Sequence, residues 1–175
     1  MTPPASGDLY QLRPHLLGAA VDGRSVSLAP MTAEAAAQLG PQFATFGPWQ
    51  HYGIAGDQMT SAFRDATGGN RPFAILAGDD LAGAAIVRDP WLMGPYLVFL
   101  GVLPEYQSQK IGDAVLGWFE SEARRGNKRN IWLCVTGMNT GAQRFYRAHG
   151  FDVAATLPDL VRDGDDEIMM RKRLT

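Results

Sequence analysis

Two segments of the chain carry side chains whose types and spacing suit group-transfer chemistry. The first is Tyr96-Leu-Val-Phe-Leu-Gly-Val-Leu-Pro-Glu-Tyr-Gln-Ser-Gln-Lys-Ile-Gly-Asp-Ala-Val-Leu116. An apolar run leads into a polar turn, and the turn opens onto residues with helical spacing. The first N–H groups of a helix have no acceptor inside it and carry the positive end of its dipole. A turn at that point can wrap a pyrophosphate with main-chain donors. Gly112 allows phosphates to approach closely, and Lys110 adds a point charge. Taken alone, this pattern also describes an ordinary strand–turn–helix connection. The second segment is Asn139-Thr-Gly-Ala142-Gln-Arg-Phe-Tyr146-Arg-Ala-His-Gly150-Phe151. Asn139 caps a helix on which Ala142, Phe145 and Tyr146 are neighbours, and Gly150 ends it in the left-handed conformation. Tyr146 is a phenol donor able to protonate a thiolate leaving group; the bland alternative is a half-buried core tyrosine.

The surrounding elements must hold these segments in place. Val26–Ala29 alternates as a strand. Thr32 caps a helix that Gly40 is expected to end, and Asp57 is a candidate cap for a helix reaching Ala66. Phe73–Ala77 and Ala82–Val87 read as a hairpin around Gly78-Asp79-Asp80. Tyr96–Val102 has the near-continuous apolar character of a strand covered on both faces. Residues 111–124 carry helical spacing, Ile131–Val135 is a short buried strand, and Phe151–Ala154 and Glu167–Leu174 are the last two strands. Residues 1–24, with Leu16-Leu17-Gly18-Ala19-Ala20, read as a loosely held N-terminal arm or short helix, and residues 25–175 as a single domain. The mixture of hairpins and strand–helix–strand units predicts an α/β fold.

Composition bounds the function. The 175 residues are 46% hydrophobic and 19% charged, which suits a chain with a sizeable core. A net charge of −2 gives no nucleic-acid surface, and no run approaches the roughly 20 apolar residues of a membrane span. Cys134 is the single cysteine, so no internal disulfide forms; a reducing cytoplasm is expected, and no signal peptide is seen. His15, His51 and His149 lie far apart and give no metal-ligand spacing.

Together the two segments resemble the GNAT N-acetyltransferases, most closely from Tyr96 to Phe151. The family pattern Asn-x-x-Ala-x-x-x-Tyr-x-x-x-Gly-Phe is met by Asn139, Ala142, Tyr146, Gly150 and Phe151. The family's phosphate loop, Gln/Arg-x-x-Gly-x-Gly/Ala, aligns with Gln107-Ser-Gln-Lys110-Ile-Gly112, so that Lys110 replaces the first glycine. A shifted register, Gln109-Lys-Ile-Gly112-Asp-Ala114, fits literally but displaces Ile111 and Val115-Leu116 from their usual places.

The resemblance implies a mixed, partly antiparallel sheet of six to seven strands, flanked by helices on both faces and splayed at its central parallel strands. It implies acetyl-CoA as co-substrate, no metal, a small-molecule or peptide amine as acceptor, and a possible homodimer. Leu100, Gly101 and Val102 would meet the pantetheine, and the loop Gln107, Ser108, Gln109, Lys110, Ile111, Gly112 and Asp113 would hold the pyrophosphate. Asn139, Ala142, Phe145 and Tyr146 would meet the cofactor from the facing helix. A main-chain N–H near Val102 would stabilise the oxyanion, and Tyr146 would protonate the CoA thiolate. The general base stays open. The glutamates used by histone-acetylating and ribosomal-protein-acetylating members are replaced by Tyr96 and Cys134, which leaves Tyr96, Asp89, Glu105 or a water chain. The substrate side is expected at Phe46, Trp49, His51, Tyr52, Asp159 and Arg162. The alternative reading is a GNAT-fold module that binds CoA or a partner with weak catalysis or none.

Overall fold

The structure, a computed structural model, describes residues 9–175. Eight strands form one sheet in the order β1-β2-β3-β4-β5-β6-β8-β7. They are β1 (His15–Val21), β2 (Arg24–Pro30), β3 (Asn70–Ala77), β4 (Asp80–Trp91), β5 (Gly94–Val102), β6 (Asn130–Thr136), β7 (Asp152–Pro158) and β8 (Asp166–Arg173). The helices are α1 (Ala33–Phe43), α2 (Gly47–His51), α3 (Gly56–Arg64), α4 (Ile111–Arg125) and α5 (Thr140–Ala148). Every neighbouring pair is antiparallel except β5 with β6.

Side chains alternate across the strands and so feed two layers. Ala84 and Ile86 of β4 meet Ala36, Leu39 and Phe43 of α1 and Met59 and Phe63 of α3. Ala85, with Phe73 and Ile75 of β3, meets Ile111 and Val115 of α4 on the opposite face. Further along that face, Leu116 and Phe119 of α4 and Tyr146 of α5 close over Leu97, Leu133 and Met170.

One irregularity decides the shape of the sheet's centre. Ile86 pairs with Phe99 and Val87 with Leu97, so Val98 is an extra residue on β5. Val98 and Phe99 consequently both pack on the α1–α3 face, whereas Leu97 and Leu100 pack on the other. A bulge of this kind bends its strand and increases the local twist. Parallel pairing with β6 is confined to Tyr96↔Trp132 and Leu97↔Leu133, immediately before the bulge. From Val98 onward the two strands part, while β6 stays paired with β8 from Asn130 through Thr136.

The N-terminal segment differs from the expected loose arm. His15–Val21 is an edge strand, which raises the strand count to eight. Leu17, Ala19 and Val21 turn inward against the core. The alternation is hard to see in the sequence because Gly18 and Ala20, both small, occupy the outward positions. Leu9 and Tyr10 are fully buried, and the Tyr10 hydroxyl donates to Phe119 O at 2.8 Å. Residues 1–8 of the expected arm lie outside the described residues.

Gly40 does not end α1, which continues through Pro41 to Phe43. A Cβ at Gly40 would lie 2.2 Å from Thr60 Oγ1, so this glycine lets α1 and α3 approach closely instead of stopping the helix. Asp57 lies in the first turn of α3, and Ala55 occupies the cap position. Since Tyr10 fills the core beside α4, Tyr10→Ala is expected to cost about 3–5 kcal/mol, measured by urea unfolding; a loss below about 1 kcal/mol would show that this segment is not part of the core.

Candidate active site

The parting of β5 from β6 opens a cavity of about 280 Å³. Its floor is the β5 run Tyr96–Leu100 and the β6 end Cys134–Thr136. Asn139, Ala142 and Tyr146 close one side, and Pro48, Trp49, Tyr52, Ile54, Val161 and Glu167 the other. Main-chain groups alternate in direction along a strand. Leu103 N–H donates to Ala82 O, on the β4 side, while the Val102 carbonyl accepts Gln107 Nε2 at 3.0 Å. Val102, and Leu100 two residues before it, therefore turn their main-chain polar groups toward the gap.

The α5 residues are held by local chemistry. Asn139 Oδ1 accepts Ala142 N–H at 3.0 Å, which starts the helix beside the cavity. Gln143 Nε2 donates to Gly137 O at 2.8 Å and ties the helix to the end of β6. At the other end Gly150 has φ +84° and Phe151 N–H returns to Tyr146 O at 3.1 Å. Tyr146 is thus fixed from both ends. Burial pushes its phenol well above the ordinary tyrosine range. Among the described residues its hydroxyl has no hydrogen-bond partner, so its proton is available to whatever occupies the cavity.

A second hollow, about 230 Å³, lies over the start of α4 and is lined by Val102, Gln107, Ser108, Lys110, Ile111, Gly112, Asp113 and Phe145. Lys110 is the N-cap of α4, with φ 61° and ψ 18°. The first N–H bonded back within this turn is Ala114, to Lys110 O at 3.1 Å. The N–H groups of Ile111, Gly112 and Asp113 precede it and lack acceptors inside the helix. A Cβ at Gly112 would meet the Phe145 ring at 3.3 Å, so α4 and α5 lie close together here. Lys110 has the left-handed backbone that glycine adopts most easily, which fits the register that places it at the first glycine of the loop pattern.

Two of the expected cofactor residues stand apart from both hollows. A Cβ on Gly101 would fall 2.5 Å from the Phe43 ring, so this residue faces α1. Gln109 turns its side chain back to Glu105 O at 3.0 Å. Of the candidate bases, Asp89 is buried beside Lys128 (3.5 Å) and lies outside the cavity lining. Glu105 sits on the Pro104–Tyr106 turn, and its carboxylate is outside the lining too. Tyr96 does line the cavity; it stacks on Trp91 with ring centroids 4.6 Å apart. Burial, with Cys134 close by, pushes its phenol up, and burial also pushes up the Cys134 thiol.

The substrate side is partly as expected. Trp49 and Tyr52 line the cavity, while Phe46 packs on Phe43 and Trp49. His51 Nε2 meets Asp165 Oδ2 at 2.8 Å, and Arg162 Nη1 donates to the His51 carbonyl at 2.9 Å. These bonds clasp α2 to the β7–β8 loop. Asp159 stays within that loop, accepting Gly164 N–H. Glu167 is the residue that the motifs did not single out. It is 7% exposed, it is the one carboxylate in the cavity lining among the described residues, and it accepts the Tyr52 hydroxyl.

The chain belongs to the acetyltransferase (GNAT) family, whose model matches residues 41–151. Among solved structures it is similar to a nourseothricin acetyltransferase, with 27% identity over 61% of this chain and 66% of that one and a TM-score of 0.56. It is similar to the ribosomal-protein alanine N-acetyltransferase of Escherichia coli, with 20% identity over 86% and 94% and a TM-score of 0.65. It is also similar to a GNAT family acetyltransferase from Elizabethkingia anophelis with acetyl-CoA bound, with 14% identity over 85% and 98% and a TM-score of 0.64. Among the described residues no helix is long and apolar enough to cross a membrane.

The strained backbone at Lys110 makes a direct prediction. A left-handed non-glycine residue costs about 1–2 kcal/mol, against about 0.5–1 kcal/mol of extra chain entropy lost by a glycine. Lys110→Gly is therefore expected to raise stability by up to about 1 kcal/mol in urea unfolding; destabilisation would show that the lysine side chain has a structural contact role.

Proposed function

We propose that this protein transfers an acetyl group from acetyl-CoA to a primary amine of a small molecule or peptide, and that it does so in the cytoplasm. The observation that carries the reading is the placement of Tyr146, from the matched motif, beside the gap where β5 leaves β6. The site suits the co-substrate. The main-chain edge of Leu100 and Val102 suits the amide-bearing pantetheine arm, and the free N–H groups of Ile111, Gly112 and Asp113 suit a pyrophosphate. Gln107, Ser108 and Lys110 complete that loop, while Gln109 contributes through its main chain. Phe145 supports the loop from α5, and Gly101 shapes β5 from its far side. Asn139 and Ala142 border the arm.

Acetyl-CoA supplies the thioester carbonyl that the amine attacks. A main-chain N–H of the open β5 edge near Val102 stabilises the charge that develops on the carbonyl oxygen. Tyr146, with its proton held firmly by burial, gives that proton to the departing sulfur.

Two measurements test this reading. Calorimetry is expected to show acetyl-CoA binding, and incubation with a panel of primary amines is expected to release free thiol. Failure of both would remove the proposal. Tyr146→Phe is expected to lower kcat by about 10²–10⁴-fold with acetyl-CoA affinity within about twofold of wild type. An unchanged kcat would favour a different acid. Because burial raises the Tyr146 phenol above its ordinary value near 10, the protonated form persists as pH rises, so wild-type kcat is expected to hold up to about pH 10.

A further inference from the structure

We infer that Glu167 is the group that receives the acceptor amine and takes its proton, and that the acceptor is a primary ammonium carried on an apolar arm. The inference rests on the acetyl-transfer reading and deepens it. Its basis is a charge without a counter-charge. Glu167 is more than nine-tenths buried on β8, opposite Thr136 of β6, and its side chain faces the cavity that holds Tyr146. Among the described residues no cation pairs with it, and the Tyr52 hydroxyl is its one hydrogen-bond donor. Taking a carboxylate out of water without a partner is costly, so a cation from outside is the occupant that answers it.

The neighbouring charges are already accounted for. Asp165, in the loop just before the same strand, is taken up by His51 (2.8 Å) and Arg162 (3.8 Å). Tyr52 from the end of α2, Tyr96 from β5 and Cys134 from β6 are the other titratable groups around Glu167, and burial pushes each of them up, so they stay neutral. The site therefore matches one positive charge. The remaining walls on this side are Pro48, Trp49, Ile54 and Val161. These suit an alkyl or aralkyl arm and not a polyamine, whose further ammonium groups would lose their water without gaining a carboxylate.

The protons balance. The ammonium loses one proton to Glu167, which passes it to solvent, and the free amine attacks the thioester carbonyl carbon. The C–N bond forms and the C–S bond breaks. Sulfur takes the Tyr146 proton, and the second proton of the new amide nitrogen restores the phenol through solvent. The products are the amide, CoA as its thiol and one proton.

The test uses the full chain with acetyl-CoA, following thiol release with phenethylamine, butylamine and spermidine. The monoamines are expected to exceed spermidine in kcat/KM by at least about tenfold. Glu167→Gln is expected to lower kcat by about a hundredfold or more, to leave acetyl-CoA affinity by calorimetry unchanged, and to move the rise of kcat/KM to higher pH, where the free amine is present without a base. Glu167→Asp, which keeps a carboxylate, should recover part of the loss, and Glu105→Gln should match wild type. Thiol release by Glu167→Gln at the wild-type rate and pH profile, or a preference for spermidine, would overturn the inference while leaving acetyl transfer intact. Absence of acetyl-CoA binding by the wild-type protein would instead remove the underlying reading. Should Glu167→Gln lose acetyl-CoA binding through misfolding, Tyr52→Phe decides. Removal of the hydroxyl that Glu167 accepts should shift the pH profile with affinity retained, and an unmoved profile counts against the inference.

Discussion

Everything at this site follows from main-chain hydrogen bonds that β5 and β6 do not make with each other. Paired strands satisfy their polar backbone groups along their whole shared length. Here the parallel pairing stops at Leu97↔Leu133. The cause is on β5 itself: Val98 is an extra residue against β4, which turns the strand just where its partner is left behind. The gap does not collapse, because β6 is anchored on its other edge by seven residue pairs with β8, Asn130↔Arg173 through Thr136↔Glu167. A polar backbone edge is left facing a lined hollow, and the proposed pantetheine arm completes a pairing that the sheet has left open.

The same anchoring explains why the proposed acid and the proposed acceptor side meet in one cavity. α5 begins where β6 ends, capped by Asn139 and tied back by Gln143 to Gly137 O. Tyr146 is therefore positioned relative to the end of β6. Glu167 is positioned relative to the same strand end from the opposite edge, through its pairing with Thr136. The lid over the acceptor side is fixed independently. Trp49 lies against Phe43 and Phe99 in an aromatic cluster, and the clasp of His51 with Asp165 and Arg162 joins α2 to the β7–β8 loop. These bonds are partly exposed, whereas the aromatic cluster beneath them is packed against the α1–α3 core.

What was legible in the sequence was what local chemistry determines. The Asn139 cap, the Gly150 turn and the start of α4 after Lys110 are all short-range events, and each falls where the residues imply. The apolar run of β5 announced a strand covered on both faces. Contacts distant in sequence were not legible. β1 was read as a loose arm because its outward residues, Leu16, Gly18 and Ala20, carry no polar side chain to set them off from the inward ones, and Leu9 and Tyr10 declare their burial only once α4 is placed against them. Gly40 was expected to be a helix end because glycine usually is; its purpose is the contact with Thr60, twenty residues on. Glu167 was read only as the first residue of the last strand, next to the acidic turn around Gly164, and its partner Tyr52 is 115 residues away. Asp89 and Glu105 were as plausible as bases by sequence proximity to the motifs, yet the folded strand and turn carry both away from the cavity.

The two groups proposed for proton transfer differ in their hydrogen-bond partners, and on this difference the proposal places an acid and a base in one small cavity. For Tyr146 the apolar surroundings disfavour the phenolate, so the proton stays on oxygen, where the proposed reaction needs it when the thiolate departs. Glu167 accepts the Tyr52 hydroxyl, while burial pushes the Tyr52 phenol up to about 12 and keeps it the donor in that bond. In the proposal an incoming ammonium is a second partner for Glu167 until its own proton moves. In the proposed reaction this asymmetry, between a phenol without a partner among the described residues and a carboxylate that accepts a phenol, gives the protons their direction, from acceptor nitrogen toward Glu167 and from Tyr146 toward sulfur.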